Sequence, residues 1–171
     1  TVTSADVETY ENDYYSAYEL KAYAEEMLGV FESGNQSGSS EKKAEIAECT
    51  VKDGTAKLLI KFPDPEEYLR FAKEYPDTES GIRIESLDVV SVPDGVEKGY
   101  IVGSTFYKAG DENTEVSAVD ITKQKKLYVV CVKGSAKIQT DGQVRYVSEG
   151  VTLNGSMAET PEGETSYIIF K

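Results

Sequence analysis

The feature that most constrains the fold lies in residues 47–62. Ala47, Cys49 and Val51 alternate with polar neighbours, Asp53-Gly54 follows, and Ala56, Leu58, Ile60 and Phe62 then alternate with Thr55, Lys57 and Lys61. Successive strand side chains point to opposite faces, and Asp-Gly tolerates the positive φ angles of a two-residue hairpin turn. The segment therefore reads as a β-hairpin with one wet face.

A helix is expected on each side of it. Ser16 with Glu19 three residues later has the form of a capping box, and Ala17, Leu20, Ala24, Met27 or Leu28, and Phe31 recur at helical spacing. This predicts a helix from Ala17 to Phe31, ended by Ser33-Gly34. After the hairpin, Asp64-Pro65-Glu66-Glu67 sets a capping residue, a first-turn proline and acidic residues in the favoured order. That helix should run to about Tyr75, where Pro76 stops it. Residues 1–10 are rich in Thr and Val with a period of two, which indicates a strand. Residues 33–43 hold only small and polar side chains and read as a flexible surface loop, in which the Asn35-Gln36-Ser37 sequon is incidental. One further strand, Ile82 to Val90, precedes a turn at Val92-Pro93-Asp94-Gly95.

The C-terminal part has another rhythm. Glycines at 134, 142, 150, 155 and 163 punctuate the runs Leu127–Val132, Ala136–Gln139, Val144–Val147, Val151–Leu153 and Tyr167–Phe170. Leu127–Val132 is apolar on both pleats, which places it centrally in a sheet, and Asp141-Gly142 and Asn154-Gly155 are the expected tight turns. The fold class is thus α+β: two helices and an N-terminal β-hairpin joined to a β-rich C-terminal meander or small β-roll. An acidic α+β part, 1–98, and a β-rich part, 99–171, are expected to form one compact unit.

Charge and composition narrow the function. The chain has a formal charge of -13 and no histidine. Residues 1–100 carry 22 acidic against 10 basic side chains, and residues 101–171 carry 9 against 8. Such a surface repels phosphate backbones, so no nucleic-acid partner is expected. Without imidazole, every Ser-His and Cys-His nucleophile arrangement is closed, which weighs against an enzyme. No cofactor or metal site is expected, since Cys49 and Cys131 fit no zinc spacing. They read as one disulfide or two buried free thiols, the second being favoured.

Several segments together resemble a group of small uncharacterised cell-surface lipoproteins of gut clostridia and other Firmicutes. These are Thr1-Val2-Thr3-Ser4-Ala5 with Val7-Glu8, Tyr14-Tyr15 leading to Glu19-Leu20-Lys21, Val51-Lys52-Asp53-Gly54, Glu67-Tyr68-Leu69-Arg70-Phe71, Val144-Arg145-Tyr146-Val147-Ser148 and Tyr167-Ile168-Ile169-Phe170-Lys171. The resemblance implies an α+β fold, a signal peptide and a lipid-modified cysteine upstream of Thr1, and no catalytic residues. Pro76 to Gly103 departs most from the pattern. The start at Thr1 likewise leads us to expect a removed leader.

Candidate sites follow from residue type. Asp111-Glu112-Asn113-Thr114-Glu115 opens like a calcium loop, but Val116 stands where glycine is needed and Thr122 where a bidentate carboxylate is needed, so a solvated turn is preferred. Ser39 and Lys42 match the S-x-x-K spacing of penicillin-binding enzymes, but neither S-D-N nor K-T-G follows. Five tyrosines, Tyr10, Tyr14, Tyr15, Tyr18 and Tyr23, offer flat amphipathic contact area for a protein or carbohydrate partner; the favoured alternative is that Tyr14, Tyr18 and Tyr23 pack at the edge of the first helix with their hydroxyls in water. The expected role is an extracellular, lipid-anchored binding or structural module that meets the membrane only through its anchor. The rival is a histidine-independent hydrolase using paired carboxylates on cell-wall or dietary glycans.

Overall fold

The computed structural model describes residues 1–9, 16–34 and 43–171. The chain divides into two compact units, Thr1–Tyr75 and Pro76–Lys171.

The first unit contains β1 (Val2–Thr9), α1 (Ala17–Ser33), β2 (Glu45–Lys52), β3 (Thr55–Phe62) and α2 (Pro65–Glu74). β3 lies between β1 and β2 and is antiparallel to both. The expected turn forms at Asp53 (φ 51°) and Gly54 (φ 74°), the paired positive angles of a tight hairpin. One detail departs from simple alternation. Ile46 faces Ile60 while Glu48 faces Leu59, so Ala47 has no opposite residue and is exposed. This β-bulge puts Ile46, not Ala47, on the face shared by Cys49 and Val51. Ile60 and Phe62 meet Leu28 and Phe31 of α1 and Phe71 of α2 in one buried cluster. The other face carries the ion pairs Lys57–Glu48 at 2.9 Å and Lys61–Glu45 at 3.2 Å, together with Ala5, Val7 and Leu59.

The second unit runs β4 (Arg83–Ser91), α3 (Val92–Glu97), β5 (Phe106–Lys108), β6 (Asp111–Val116), α4 (Ala118–Thr122), β7 (Tyr128–Gln139), β8 (Val144–Ser148), β9 (Thr152–Asn154), β10 (Met157–Thr160) and β11 (Thr165–Phe170). All its strand pairs are antiparallel, and the sheet is curled. β4 and α3, whose residues fall within the acidic stretch 1–98, belong to this unit through the pairing of β4 with β7.

β7 is its spine. β4 pairs one edge of β7; β11 pairs Tyr128–Lys133 of the other, and β10 continues that edge along Ala136–Gln139. Leu127–Val132 therefore lies centrally, as its apolar pleats required. The expected break at Gly134 does not occur: two sequence runs fuse into one strand of 12 residues. Gly134 has φ +109°, and a Cβ there would overlap the Arg83 carbonyl oxygen. Its N–H donates to Glu164 O (3.1 Å), and its carbonyl accepts from Thr160 Oγ1 (2.6 Å). The glycine thus bends the strand where its partner changes from β11 to β10.

Two helices beyond the two expected are present among the described residues. Val92-Pro93-Asp94-Gly95 is not a simple turn but the start of α3, capped by Ser91, whose Oγ accepts from Asp94 N (3.2 Å) and donates to Asp94 Oδ2 (2.6 Å). α4 is capped by Ser117. Asp111–Glu115 is likewise not a turn, since it lies in β6, paired with β5.

Candidate functional site

Three places hold the side chains most able to meet a ligand or do chemistry. The first is the solvent face of α1. Ser16 Oγ accepts from Glu19 N (3.2 Å) and Glu19 Oε2 accepts from Ser16 N (2.9 Å), so the expected capping box is present, and these bonds hold the Glu19 carboxyl below its usual range. Ala24, Leu28 and Phe31 form the buried stripe. Tyr18 is 82% exposed and Tyr23 64%. At ~100° per residue, their five-residue separation sets them ~140° apart around the axis, so they make no shared platform. Tyr23 instead shares its stripe with Val30, 57% exposed and two turns on. It also acts on Tyr75, whose hydroxyl is pushed up by burial first, then by the Glu74 charge and Tyr23. Tyr10, Tyr14 and Tyr15 lie outside the described residues, as do Asn35, Ser39 and Lys42.

The second place is an open groove of about 310 Å³ beside the β5–β6 hairpin. It is lined by Val147, Val151 and Leu153 and by Lys108 and Gly110 to Asn113. Here the Asp111 carboxylate is engaged locally. It accepts from Thr114 Oγ1 (2.6 Å) and Asn113 N (3.2 Å), which lowers its pKa. Among the described residues, no three Cys, Asp or Glu side chains are grouped closely enough to hold a metal ion.

The third place escaped sequence reasoning. Register sets Asp88 of β4 opposite Cys131 of β7, and Cys131 opposite Tyr167 of β11, so the three share one face of the sheet. Lys98 Nζ (2.5 Å) and Tyr100 OH (2.8 Å) both donate to Asp88 Oδ2, and the Tyr100 and Tyr167 ring centroids are 5.8 Å apart. Partial burial raises the Asp88 carboxyl, but the hydrogen bonds from Lys98 and Tyr100 and the Lys98 charge outweigh it, leaving the group below its usual range. Burial, the hydrogen bond to Asp88 and its charge push Tyr100 up to about 12. Burial likewise raises Cys131 and Tyr167. At neutral pH the thiol and both phenols therefore keep their protons, and the cluster's evident work is to tie the segment after α3 to the sheet. No local motif announces it, because strand register brings together Asp88, Cys131 and Tyr167, while Lys98 and Tyr100 return to Asp88 only through the reversal of the chain at α3.

Both cysteines are free thiols; Cys131 is buried and Cys49 only partly so, with its Sγ 3.7 Å from Ala17 O. Compared with protein-family models, with curated proteins and with solved structures, the chain matches none.

Proposed function

We propose that this chain is an extracellular protein, held at the cell surface by an N-terminal lipid anchor, that serves as a non-catalytic binding or structural module. The observation that carries this reading is the exposure of Tyr18 and Tyr23, at 82% and 64%, on a helix whose opposite stripe is buried. Neither ring is spent on the core, and each offers a flat apolar surface with a polar tip to a carbohydrate or protein partner. The absence of histidine and the protonated Cys131, Tyr100 and Tyr167 favour binding over catalysis. The resemblance to clostridial surface lipoproteins supports the location.

Affinity electrophoresis through gels containing cell-wall or dietary polysaccharides tests the binding role. We expect retardation by at least one polymer, weakened roughly tenfold by Tyr23→Ala or Tyr18→Ala, as loss of a contact aromatic typically does. Retardation indifferent to both substitutions would remove the tyrosines from the site. Release of reducing ends would overturn the reading in favour of a hydrolase using paired carboxylates. The anchor is tested by the reading frame before Thr1, which should encode a signal peptide and a cysteine after a short apolar run; a frame with neither rejects it.

A further inference from the structure

Five strands among the described residues end a sheet or pair on one side only: β1, β2, β4, β6 and β9. An open edge is a row of backbone donors and acceptors ready to pair with another chain, and proteins usually blunt it with a bulge, charge, proline or shortness. Four of the five are blunted. β2 is bulged at Ala47 and carries Glu45 and Lys52. β4 is bulged between Ile84 and Ser86, beside the Lys133–Glu85 ion pair at 2.6 Å. β6 loses register against β5 after Tyr107, and β9 is three residues long.

β1 has neither bulge, proline nor shortness, and its only charges are acidic, which oppose pairing with acidic strands but not with basic ones. It holds eight residues in unbroken register with β3, from Val2↔Phe62 to Thr9↔Thr55. It contains no proline, glycine, lysine or arginine, and Val7 stands 57% exposed upon it. Its only charges are acidic, Asp6 and Glu8, in a unit whose residues 1–75 hold 16 acidic against 8 basic side chains. Thr3, Ala5 and Thr9 are exposed along the same strand.

We infer that the outer edge of β1 is a strand-addition site for an extended segment of another protein that carries lysine or arginine at alternate positions. Backbone hydrogen bonds supply pairing in either orientation, and alternate side chains supply selectivity. A second copy of this chain is the poorer occupant, since apposed β1 edges bring like charges together, which is destabilising in paired strands. This surface is separate from the α1 tyrosines.

The probe is a labelled octapeptide alternating lysine with valine and threonine; its control has glutamate at the lysine positions. Both are titrated into the full chain by fluorescence anisotropy, with amide exchange of Val2–Thr9 followed in parallel. We expect the basic peptide to bind at least tenfold more tightly than the acidic one and to slow exchange within Val2–Thr9. Val7→Lys and, separately, Ala5→Lys place a cation on the strand and should each weaken binding at least fivefold with unchanged circular dichroism; both positions are exposed. Tyr23→Ala should leave peptide binding unchanged, which separates this inference from the role proposed for the tyrosines. Equal binding of the two peptides, no slowing within Val2–Thr9, or full binding by both lysine variants overturns the proposal. A wild-type dimer that Val7→Lys dissociates would also overturn it, by making a second copy the occupant.

Discussion

The two units bury their sheets in opposite ways. In Thr1–Tyr75 one face packs against the helices around an aromatic core, and the other carries lysine–glutamate pairs with a few small or exposed apolar residues. Phe71 meets Phe31 at 5.2 Å, Phe62 at 5.1 Å and Tyr75 at 4.9 Å between ring centroids, and the Arg70 guanidinium lies 3.5 Å over Phe31. In Pro76–Lys171 the sheet is apolar on both faces. Val129 and Ile169 enter one cluster with Val92, Ile101 and Phe106, while their neighbours Val130 and Ile168 enter the other with Val147 and Ala158. A sheet covered on one side keeps a face and its edges for recognition, whereas a spine buried on both pleats has few side chains left to offer. Under the binding role proposed above, recognition would fall to the first unit and the second would serve as scaffold.

Breaking each core at its own weak point sharpens the comparison. The largest effect is expected for Gly134→Ala, which forces a side chain to φ +109° and against the Arg83 carbonyl. Strain and overlap together should cost more than about 4 kcal/mol. Residue-resolved amide exchange should show lost protection in β4 and β7 with β2 and β3 unchanged. Phe71→Ala should do the converse, removing about 3–4 kcal/mol from the aromatic core and loosening β2 and β3 while β7 stays protected. If either variant loosened both units equally, the division would be wrong.

The next effect is the pH dependence carried by the Asp88 cluster of the second unit. The Asp88 carboxyl is lowered in the fold, so its contribution is present above about pH 4 and is lost as pH falls through the folded value. Tyr100 is raised to about 12, so its contribution is complete below about pH 10 and is lost as pH climbs through that window. Asp88→Asn should flatten the acid limb of stability and lower the Tyr100 titration seen by ultraviolet absorbance. A Tyr100 that ionises at the ordinary phenol value in the folded wild type would contradict the cluster.

The smallest effect concerns Ser166, whose Oγ is buried without a hydrogen-bond partner among the described residues. Register places it opposite Val132. Ser166→Ala should stabilise by about 1 kcal/mol, because it removes an unsatisfied hydroxyl from an apolar setting. A loss of stability measured by urea denaturation would mean that the hydroxyl has a partner after all.

Legibility followed the same division. The capping box of α1, the Asp53-Gly54 turn, and the Asp64 cap and proline of α2 act within a few residues, so the elements of the first unit could be read directly; only the bulge at Ala47 displaced an alternation. In the second unit, glycine meant two different things. Gly155 marks a true turn between β9 and β10, but Gly134 sits inside a strand because another backbone passes close to it, which no local pattern reveals. β5, β6 and β10 are short or polar and carry no periodic signal, and the residues of the Ser91–Asp94 cap fit a turn equally well by sequence. Of the candidate tyrosines, Tyr18 and Tyr23 are exposed as a binding role requires, yet their angular separation needed the helix itself. The Asp88 cluster depends on long-range register for Cys131 and Tyr167 and on the α3 reversal for Lys98 and Tyr100.

The contrast between an open first unit and a closed second one is tested most directly by amide hydrogen exchange at single-residue resolution on the unmodified chain. The account predicts that Val129 to Val132, bonded on both sides by β4 and β11, exchange only through global opening, while Val2 to Thr9 alternate between slow amides directed at β3 and fast ones on the open edge. Uniform protection along β1, or fast exchange within Val129–Val132, would contradict it.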